Sequence, residues 1–102
     1  MANVFEAVSD STRREILERL KSSGPLSLSE IAAPLPMTRQ AVTKHLNLLR
    51  DAGLVKVWWA GRVRLHQLDP LPLRQVDEWL APYSAFWSQA LEQLDQHLKE
   101  NP

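Results

Sequence analysis

The sequence TRQAVTKHLNLLRDAGLV, residues 38–55, has the period of a helix with one apolar face. Val42, Leu46 and Leu49 fall together at 3.6-residue spacing, so this face requires a hydrophobic core. Thr38 is the predicted N-cap, and Gly53 is predicted to follow the last turn. We therefore expect a helix of about four turns.

The opposite face of this helix is polar. It consists of Arg39, Gln40, Thr43, Lys44, Asn47 and Arg50. Arginine, glutamine, asparagine and threonine offer donors and acceptors that suit base edges, whereas lysine and arginine neutralise phosphates. An amphipathic surface helix with an ordinary solvated face explains the same pattern. On this helix alone, neither interpretation is favoured over the other.

The segment before this helix predicts a second, shorter helix. Ser27 and Glu30 have the spacing of a capping box, with Leu28, Ile31 and Ala32 facing inward. Prolines at positions 34 and 36 prevent this helix from continuing and impose a tight connection. A short helix, a turn and a longer helix with a polar face form the helix-turn-helix arrangement.

The segment after the helix predicts a β-hairpin. Residues 54–59 and 63–68 are rich in β-branched and aromatic side chains and flank a turn that contains Gly61. A hairpin that directly follows a recognition helix is a wing. Arg62 at its tip and Arg64 close behind are placed to contact phosphate or the adjacent minor groove. The three elements in this order favour DNA binding over the solvated-face interpretation.

These motifs resemble those of the ArsR-type winged-helix repressors of bacteria. The resemblance rests on QAVTKHL (residues 40–46) with AGLV (residues 52–55) and on the opening FEAVSDSTRREIL (residues 5–17). The later motifs LDPL (residues 68–71), VDEWL (residues 76–80) and Tyr83-x-x-Phe86-Trp87 are similar to the cysteine-free, SdpR-like autorepressor branch. The resemblance spans about residues 4–98. It implies a DNA-binding homodimer that pairs through its first and last helices and often acts on its own promoter.

Length and composition agree with a small regulator. A chain of 102 residues predicts one domain with a modest core. The absence of cysteine excludes disulfides and thiolate metal sites. No apolar stretch is long enough to span a membrane, and the N-terminal residues lack the pattern of a signal peptide. By elimination, we expect a cytoplasmic protein.

The net charge is zero, but the charges are unevenly distributed. Residues 1–66 hold ten basic and six acidic groups, whereas residues 67–102 hold two basic and six acidic groups. Between residues 39 and 66 there are six basic groups and one acid. This local excess suits attraction to phosphate, although charge varies along any chain.

The remaining segments predict a scaffold. Asp10 or Ser11 caps a helix that ends near Ser23, before a Gly-Pro pair. A short helix at about residues 3–8 precedes it. A long helix from about residue 72 to residue 100 follows the hairpin, and Pro82 predicts a kink or break near residues 80–81.

The terminal helices predict a dimer interface. The last helix has a long apolar seam with coiled-coil-like spacing: Val76, Leu80, Tyr83, Trp87, Ala90 or Leu91, Leu94 and Leu98. A chain this short cannot easily cover that seam, and a second copy could. The predicted interface residues are Val4, Phe5, Val8, Tyr83, Trp87, Leu91 and Leu94.

Two other interpretations of the last helix compete with packing. Trp79, Tyr83, Phe86 and Trp87 could line a pocket for an aromatic or cationic ligand, but a packed dimer core is the commoner use of such a stripe. Asp95 and His97 offer two metal ligands, whereas a tight site needs three or four. We expect neither a metal nor a small-molecule cofactor.

Catalytic motifs are absent from the sequence. There is no glycine-rich phosphate loop, nucleophile elbow or His-Glu-x-x-His pattern. His45 is interpreted as a packed residue, or as one bonded to the backbone or a phosphate, rather than as a base. We therefore predict a protein that is not an enzyme.

The predicted function is that of a homodimeric winged-helix repressor on a pseudo-palindromic operator. Base-edge contacts are assigned to Gln40, Thr43, Lys44 and Asn47, and phosphate or minor-groove contacts to Thr38, Arg39, Arg50, Arg62 and Arg64. The alternative is a dimeric winged-helix module for protein–protein contact that does not bind DNA.

Overall fold

A computed structural model describes residues 2–100 as five α-helices and a three-stranded antiparallel sheet. The helices are α1 (Val4–Val8), α2 (Ser11–Ser23), α3 (Leu28–Ala32), α4 (Arg39–Asp51) and α5 (Arg74–Glu100). The strands are β1 (Leu26–Ser27), β2 (Val55–Ala60) and β3 (Val63–Leu68), and a 3-10 turn at Leu71–Leu73 leads into α5. The predicted winged helix-turn-helix order is confirmed, with β1 added.

The predicted caps of the helix-turn-helix segment are present. Ser27 and Glu30 form both halves of the capping box at the start of α3. The hydroxyl of Thr38 accepts the backbone N–H of Ala41 at 3.1 Å and so begins α4. At the other end, Gly53 adopts a φ of +81°, and the backbone N–H of Leu54 reaches back to a carbonyl in the last turn. This pattern is a Schellman motif, which stops α4 where the hairpin must begin.

The start of α2 settles an alternative that the sequence left open. Asp10, rather than Ser11, caps α2, because its carboxylate accepts the backbone N–H of Arg13 at 3.0 Å. Asn3 caps α1 in the same way through the backbone N–H of Glu6. These caps fix the sharp bend between α1 and α2.

Strand β1 was not predicted. Leu26 and Ser27 pair with His66 and Leu65 of β3, so the sheet order is β1-β3-β2. A strand of two residues has no measurable period, and Ser27 also serves as the N-cap of α3. The pairing matters because it joins the start of the helix-turn-helix segment to the hairpin.

The core lies between the helices and the inner face of the sheet. Its fully buried side chains include Ile16 of α2, Ile31 of α3, and Val42 and Leu49 of α4. The complete buried set is Val4, Ala7, Ile16, Leu17, Leu20, Leu26, Ile31, Leu35, Val42, Leu46, Leu49, Leu54 and Val55. The predicted inward faces of α2, α3 and α4 are therefore confirmed.

Helix α5 differs from its prediction in one respect. It runs without interruption for 27 residues, with Pro82 inside it, so of the predicted kink or break near residues 80–81 the break is wrong, and the kink stays a prediction. Pro82 removes one backbone hydrogen bond, to the carbonyl four residues earlier, in a stretch that is exposed to solvent. Water can satisfy that carbonyl, and the flanking turns keep their own bonds. Within residues 2–100, no helix is long and apolar enough to cross a membrane.

Helix α1 also corrects a prediction. Val4 is 2% exposed and belongs to the core of its own chain, so it is not available to a partner. Val8 packs partly against the same core. Phe5, in contrast, is 41% exposed, and its ring meets Trp79 of α5 edge-on at 6.0 Å. Of the three predicted α1 residues, Phe5 alone lies on the outer surface.

Candidate nucleic-acid interface

Helix α4 presents a polar face that no other part of the described chain covers. The side chains of Thr38, Arg39, Gln40, Thr43, Lys44, Asn47 and Arg50 are all exposed. The helix is held in place from behind, because its apolar face is buried in the core. This arrangement leaves the predicted DNA-facing residues on a rigid element and open to solvent.

The β2–β3 hairpin lies beside this face. Its register pairs Val57 with His66 and Trp59 with Arg64, so these four residues share one face of the hairpin. His66 is buried against the core, whereas Trp59 is 67% exposed. The face that packs inward near the base of the hairpin therefore continues outward as Trp59 and Arg64.

The tip of the hairpin is a two-residue turn. Gly61 has a φ of +66°, and no residue other than glycine has a positive φ within residues 2–100. A positive φ at the first central position is the requirement of a type II′ turn, which matches the twist of a hairpin. Arg62 occupies the second position and is exposed at the tip, as predicted for a wing.

A cleft of about 130 Å³ separates α4 from the hairpin. It is lined by Leu28, Thr43, Leu46, Asn47, Arg50, Val57, Arg64 and His66. Four predicted DNA-binding residues, from both elements, thus meet at one concavity: Thr43, Asn47, Arg50 and Arg64. Arg62 and Gln40 do not line it.

Three of the basic residues counted in the sequence have a structural role instead. Arg13 donates to the carbonyls of Ala7 and Glu6 at 2.9 and 3.0 Å. Arg14 donates to the carbonyl of Val8 at 2.8 Å. Both guanidinium groups cap the carboxyl end of α1, where cations are favoured. Their charge is directed into the fold.

Arg19 has the same kind of role at α3. Its two terminal nitrogens donate to the carbonyls of Glu30 and Ile31, both at 2.7 Å. The basic excess of residues 1–66 therefore overstated the charge available to a ligand, because charge counting does not distinguish a helix cap from a free cation. The excess within residues 39–66 is the relevant one.

Within that segment, the six cations divide into two groups. Arg39 donates to the hydroxyl of Ser29 at 2.6 Å, and Lys56 pairs with Asp69 at 3.7 Å. The remaining four have no hydrogen-bond or ion-pair partner within residues 2–100; they are Lys44, Arg50, Arg62 and Arg64. Arg64 does contact the ring of Trp59, with its guanidinium carbon 5.9 Å from the ring centroid. These four cations are free to bind an anion.

His45 joins α4 to the start of α2. Its Nδ1 lies 3.2 Å from a terminal nitrogen of Arg13 and 3.9 Å from the carboxylate of Asp10. Arginine has no acceptor, so Nδ1 of the imidazole accepts and the neutral ring carries its proton on Nε2. Within the chain, the partner of His45 is thus a side chain of α2 rather than the backbone, which was one of the predicted alternatives beside packing and a phosphate contact. Helix α4 is held through this residue.

His66 forms the buried end of the cleft. Its Nδ1 donates to the carbonyl of Leu26 at 3.1 Å when the ring is neutral. Burial lowers its pKa, and the nearby charges of Arg64 and Arg50 act in the same direction, whereas the bond to Leu26 opposes them. His66 is therefore neutral at pH 7, and it supports β1 against β3.

A second exposed surface lies on α5. We call it the aromatic seam; it consists of Trp79, Tyr83, Phe86, Trp87, Leu91, Leu94 and Leu98, each between 47% and 68% exposed. Phe5 of α1 extends it through Trp79, whose ring also lies 5.4 Å from that of Tyr83. An apolar surface of this extent is typical of an interaction site.

Sequence reasoning missed Trp59 and Arg13. Trp59 was counted only as a β-prone residue, although its position directly across the turn from Arg64 follows from a two-residue loop. Arg13 was counted only as a charge. Its role depends on the bend between α1 and α2, which the sequence pattern does not specify.

Comparisons with known proteins agree with this architecture. Residues 8–57 match the family described as a helix-turn-helix domain. The HTH-type transcriptional regulator Rv2034 of Mycobacterium tuberculosis is 44% identical over 87 residues, covering 85% of this chain and 78% of that protein. The transcriptional repressor SdpR of Bacillus subtilis is 32% identical over 80 residues, covering 78% of this chain and 88% of that protein.

A solved structure shows the same arrangement of elements. The crystal structure of an ArsR family transcriptional regulator superposes with a TM-score of 0.72 at 36% identity. The superposition covers 86% of this chain and 97% of the other. It therefore includes the terminal helices or the hairpin in addition to the 50 residues of the helix-turn-helix match.

Proposed function

The chain belongs to the ArsR family of winged helix-turn-helix proteins and is a DNA-binding transcriptional regulator; on this premise, we propose that it is a repressor that binds a pseudo-palindromic operator as a homodimer. The observation that carries the proposal is the exposed polar face of α4 beside a hairpin with unpartnered cations. The protein would act without catalysis, by occupying DNA that polymerase needs.

Helix α4 is proposed to enter the major groove. Gln40, Thr43, Lys44 and Asn47 are assigned to base edges, because their donors and acceptors are exposed on a helix whose other face is fixed. Lys44 has no competing partner within the described residues. These contacts would determine the sequence of the operator.

The phosphate contacts are proposed for residues around this helix. Arg50, Arg62 and Arg64 are unpartnered and exposed, which supports their assignment. Thr38 already caps α4, so its contribution would come through the amino end of the helix, where backbone N–H groups favour an anion. Arg39 would exchange its bond with Ser29 for a phosphate.

A second copy of the chain is proposed to cover the aromatic seam. The seam is apolar along most of the length of α5, and it continues onto Phe5 of α1. Because α5 has no fully buried residue within its own chain, a partner is needed to remove the seam from water. Two-fold symmetry would then place the two α4 helices about 34 Å apart, in successive major grooves.

Selection of bound sites from random duplexes tests this proposal. We expect an inverted repeat whose half-sites are separated by about one helical turn. The region upstream of the chain's own coding sequence is the first natural DNA to examine for that repeat. Selection of a single, non-repeated half-site would contradict the dimer, and no enrichment at all would contradict sequence-specific binding.

A salt titration with generic duplex DNA tests the alternative of a protein–protein module. A DNA-binding protein that neutralises several phosphates loses affinity steeply as salt increases. A module that has lost DNA binding would show no such affinity at low salt. Analytical ultracentrifugation of the free protein at micromolar concentration supplies the oligomeric state independently of DNA.

A further inference from the structure

The cleft between α4 and the hairpin brings together residues that the proposed function assigns separately to base edges and to phosphates. Two arginines from different elements, Arg50 and Arg64, both line it. Neither has an acceptor within the described residues, so both are available to one ligand. Arginine is the residue best suited to bind the oxygens of a phosphate, because its planar guanidinium group can donate two parallel hydrogen bonds.

The rest of the lining suits a phosphate that is attached to a sugar. Thr43 and Asn47, which are assigned to base edges, border the cleft on the side of α4. Leu28 and Val57 supply apolar surface on which the C–H groups of a deoxyribose can pack. A volume of about 130 Å³ is suited to one such unit rather than to a large organic ligand.

The position of the cleft also suits a strand of the DNA backbone. A duplex has one sugar–phosphate strand between a major groove and the neighbouring minor groove. If α4 occupies the major groove and the hairpin tip reaches the minor groove, that strand must cross between them. The cleft lies at this crossing, between the polar face of α4 and the base of the hairpin.

Trp59 restrains Arg64 before any DNA is present. The two residues are direct cross-strand partners, and the guanidinium lies 5.9 Å from the ring centroid. An arginine loses rotamer entropy when it is immobilised by a ligand, and a side chain already held against a ring loses less. Trp59 therefore has a positioning role.

We propose that this cleft binds one backbone phosphodiester in each operator half-site, with Arg50 and Arg64 on its oxygens and Trp59 positioning Arg64. The inference rests on the proposed function, because it needs α4 in the major groove. It adds a defined contact at a single phosphate, distinct from the contact of Arg62 at the hairpin tip.

Neutral backbone substitutions test the proposal directly. Each phosphate of an operator half-site is replaced in turn by a methylphosphonate, which removes its charge. We expect one position in each half-site at which wild-type affinity falls about tenfold, the size of one charge-assisted bond. In the R50Q/R64Q double variant, the same substitution should have no further effect. The matched control is K99Q, which removes a charge from the far end of α5 and should leave the wild-type pattern unchanged.

Two substitutions test the role of Trp59. W59A should reproduce part of the affinity loss of R64Q, and the W59A/R64Q variant should bind no more weakly than R64Q alone. W59F retains a ring and should restore most of the affinity. Thermal unfolding tests whether Trp59 instead stabilises the fold. W59A and W59F should have the same unfolding temperature, because Trp59 is 67% exposed.

The possible outcomes distinguish this inference from the proposed function. If the wild-type protein selects an operator but no methylphosphonate position depends on Arg50 and Arg64, the cleft assignment is overturned while the operator proposal stands. If no sequence is selected, the salt dependence of binding to generic DNA still tests whether Arg50 and Arg64 contact a phosphate. R50Q/R64Q should then reduce the slope of log K against log salt by about 0.9 for each lost contact, and an unchanged slope overturns the inference.

Titration with inorganic phosphate separates a DNA strand from a free anion. We expect no saturable binding of inorganic phosphate to the free protein, because the deoxyribose contacts are missing. Saturable binding that R50Q/R64Q abolishes, together with methylphosphonate effects that do not depend on these residues, would identify a site for a free anion. That result would overturn the backbone assignment.

Discussion

The polar face of α4 with its hairpin, and the long helix α5, are both exposed but differ in chemistry. The first, which we call the reading surface (residues 38–68), leaves four cations unpartnered. The second exposes seven large apolar side chains in one seam, while its acids, such as Glu78 and Glu92, fall on the opposite side of the helix. Unpartnered cations bind anions, whereas an exposed apolar seam packs against another apolar surface. The two regions therefore have different partners.

The two helices also differ in what holds them. Helix α4 buries Val42 and Leu49 completely, so its shape is fixed by the core of one chain. Helix α5 has no fully buried residue. Isolated helices are marginal in water, and most helical stability in proteins comes from packing an apolar face. We expect α5 to gain most of its stability from the second copy, and the reading surface to be formed already in one chain.

The largest effect should come from a charge placed in the aromatic seam. Trp87→Glu or Leu94→Glu would bury an unpaired carboxylate in the proposed dimer interface, at a cost of several kcal/mol. The variant should sediment as a monomer or unfold, and it should lose operator binding although every residue of the reading surface is intact.

The matched control for this substitution is Ala85→Glu. Ala85 lies in the same exposed helix, on the side away from the seam. The Ala85→Glu variant should remain a dimer and bind the operator as the wild type does. A wild-type protein that is monomeric at micromolar concentration yet binds a palindrome tightly would remove the dimer from this account.

A smaller effect is expected within the reading surface. Gln40→Ala or Asn47→Ala should lose about 1–3 kcal/mol of binding on the preferred site and leave binding to generic DNA nearly unchanged. Arg62→Ala should instead weaken binding to all sequences alike and flatten the salt dependence. Competition assays with specific and generic duplexes measure both quantities. If neither Gln40→Ala nor Asn47→Ala altered sequence preference, the assignment of the base-reading face would be wrong.

The sequence predicted the elements of the reading surface well, because local signals specify them. The cap at Thr38, the stop at Gly53 and the hairpin turn at Gly61 are all short-range features, and each is confirmed. Features that depend on contacts between distant segments were missed. The pairing of Leu26 with His66 spans 40 residues, and the bond between Arg13 and His45 spans 32.

One error in the terminal helices has the same origin. Val4 was predicted to face a partner because of its helical spacing with Phe5 and Val8. The bend between α1 and α2, which the sequence does not specify, places Val4 in the core instead. The other error has a local cause: Pro82 was predicted to kink or break α5, because proline is unfavourable inside a helix, and the break is not found. In an exposed helix the lost backbone bond is left to water, and the turns on either side continue.

Acid should weaken the fold through His66 at the base of the reading surface. Burial lowers its pKa below the ordinary value of 6.5. Above pH 6.5 the imidazole is neutral in both folded and unfolded chains, so its contribution is fully present. As the pH falls from 6.5 through the lowered pKa, the unfolded chain takes up the proton first, and the free energy of unfolding decreases.

The difference between wild type and His66→Gln isolates this contribution. Glutamine can still donate to the carbonyl of Leu26 but does not titrate, so we expect the free energy of unfolding to depend less steeply on pH below about 6.5. Asp10 and Glu30 do not confuse the comparison. Hydrogen bonds from the backbone N–H groups of Arg13 and Ser27, respectively, lower the pKa of the Asp10 carboxyl below its ordinary value of 3.8 and that of Glu30 below its ordinary value of 4.5. Equal pH dependence in the two proteins would show that burial of His66 does not affect stability.

The smallest effect, no change at all, is expected from metals. Within residues 2–100, no three histidine, cysteine, aspartate or glutamate side chains converge. Asp95 pairs with Lys99 at 3.0 Å rather than with a second ligand. Because a tight site needs three or four convergent ligands, added zinc, nickel or arsenite should leave operator affinity unchanged. Titration of each into the protein–operator complex, monitored by fluorescence anisotropy and repeated with EDTA-treated protein, measures this. A stoichiometric, tight isotherm that shifts DNA affinity would mean that a second copy completes a metal site, and the aromatic seam would then have a regulatory role in addition to packing.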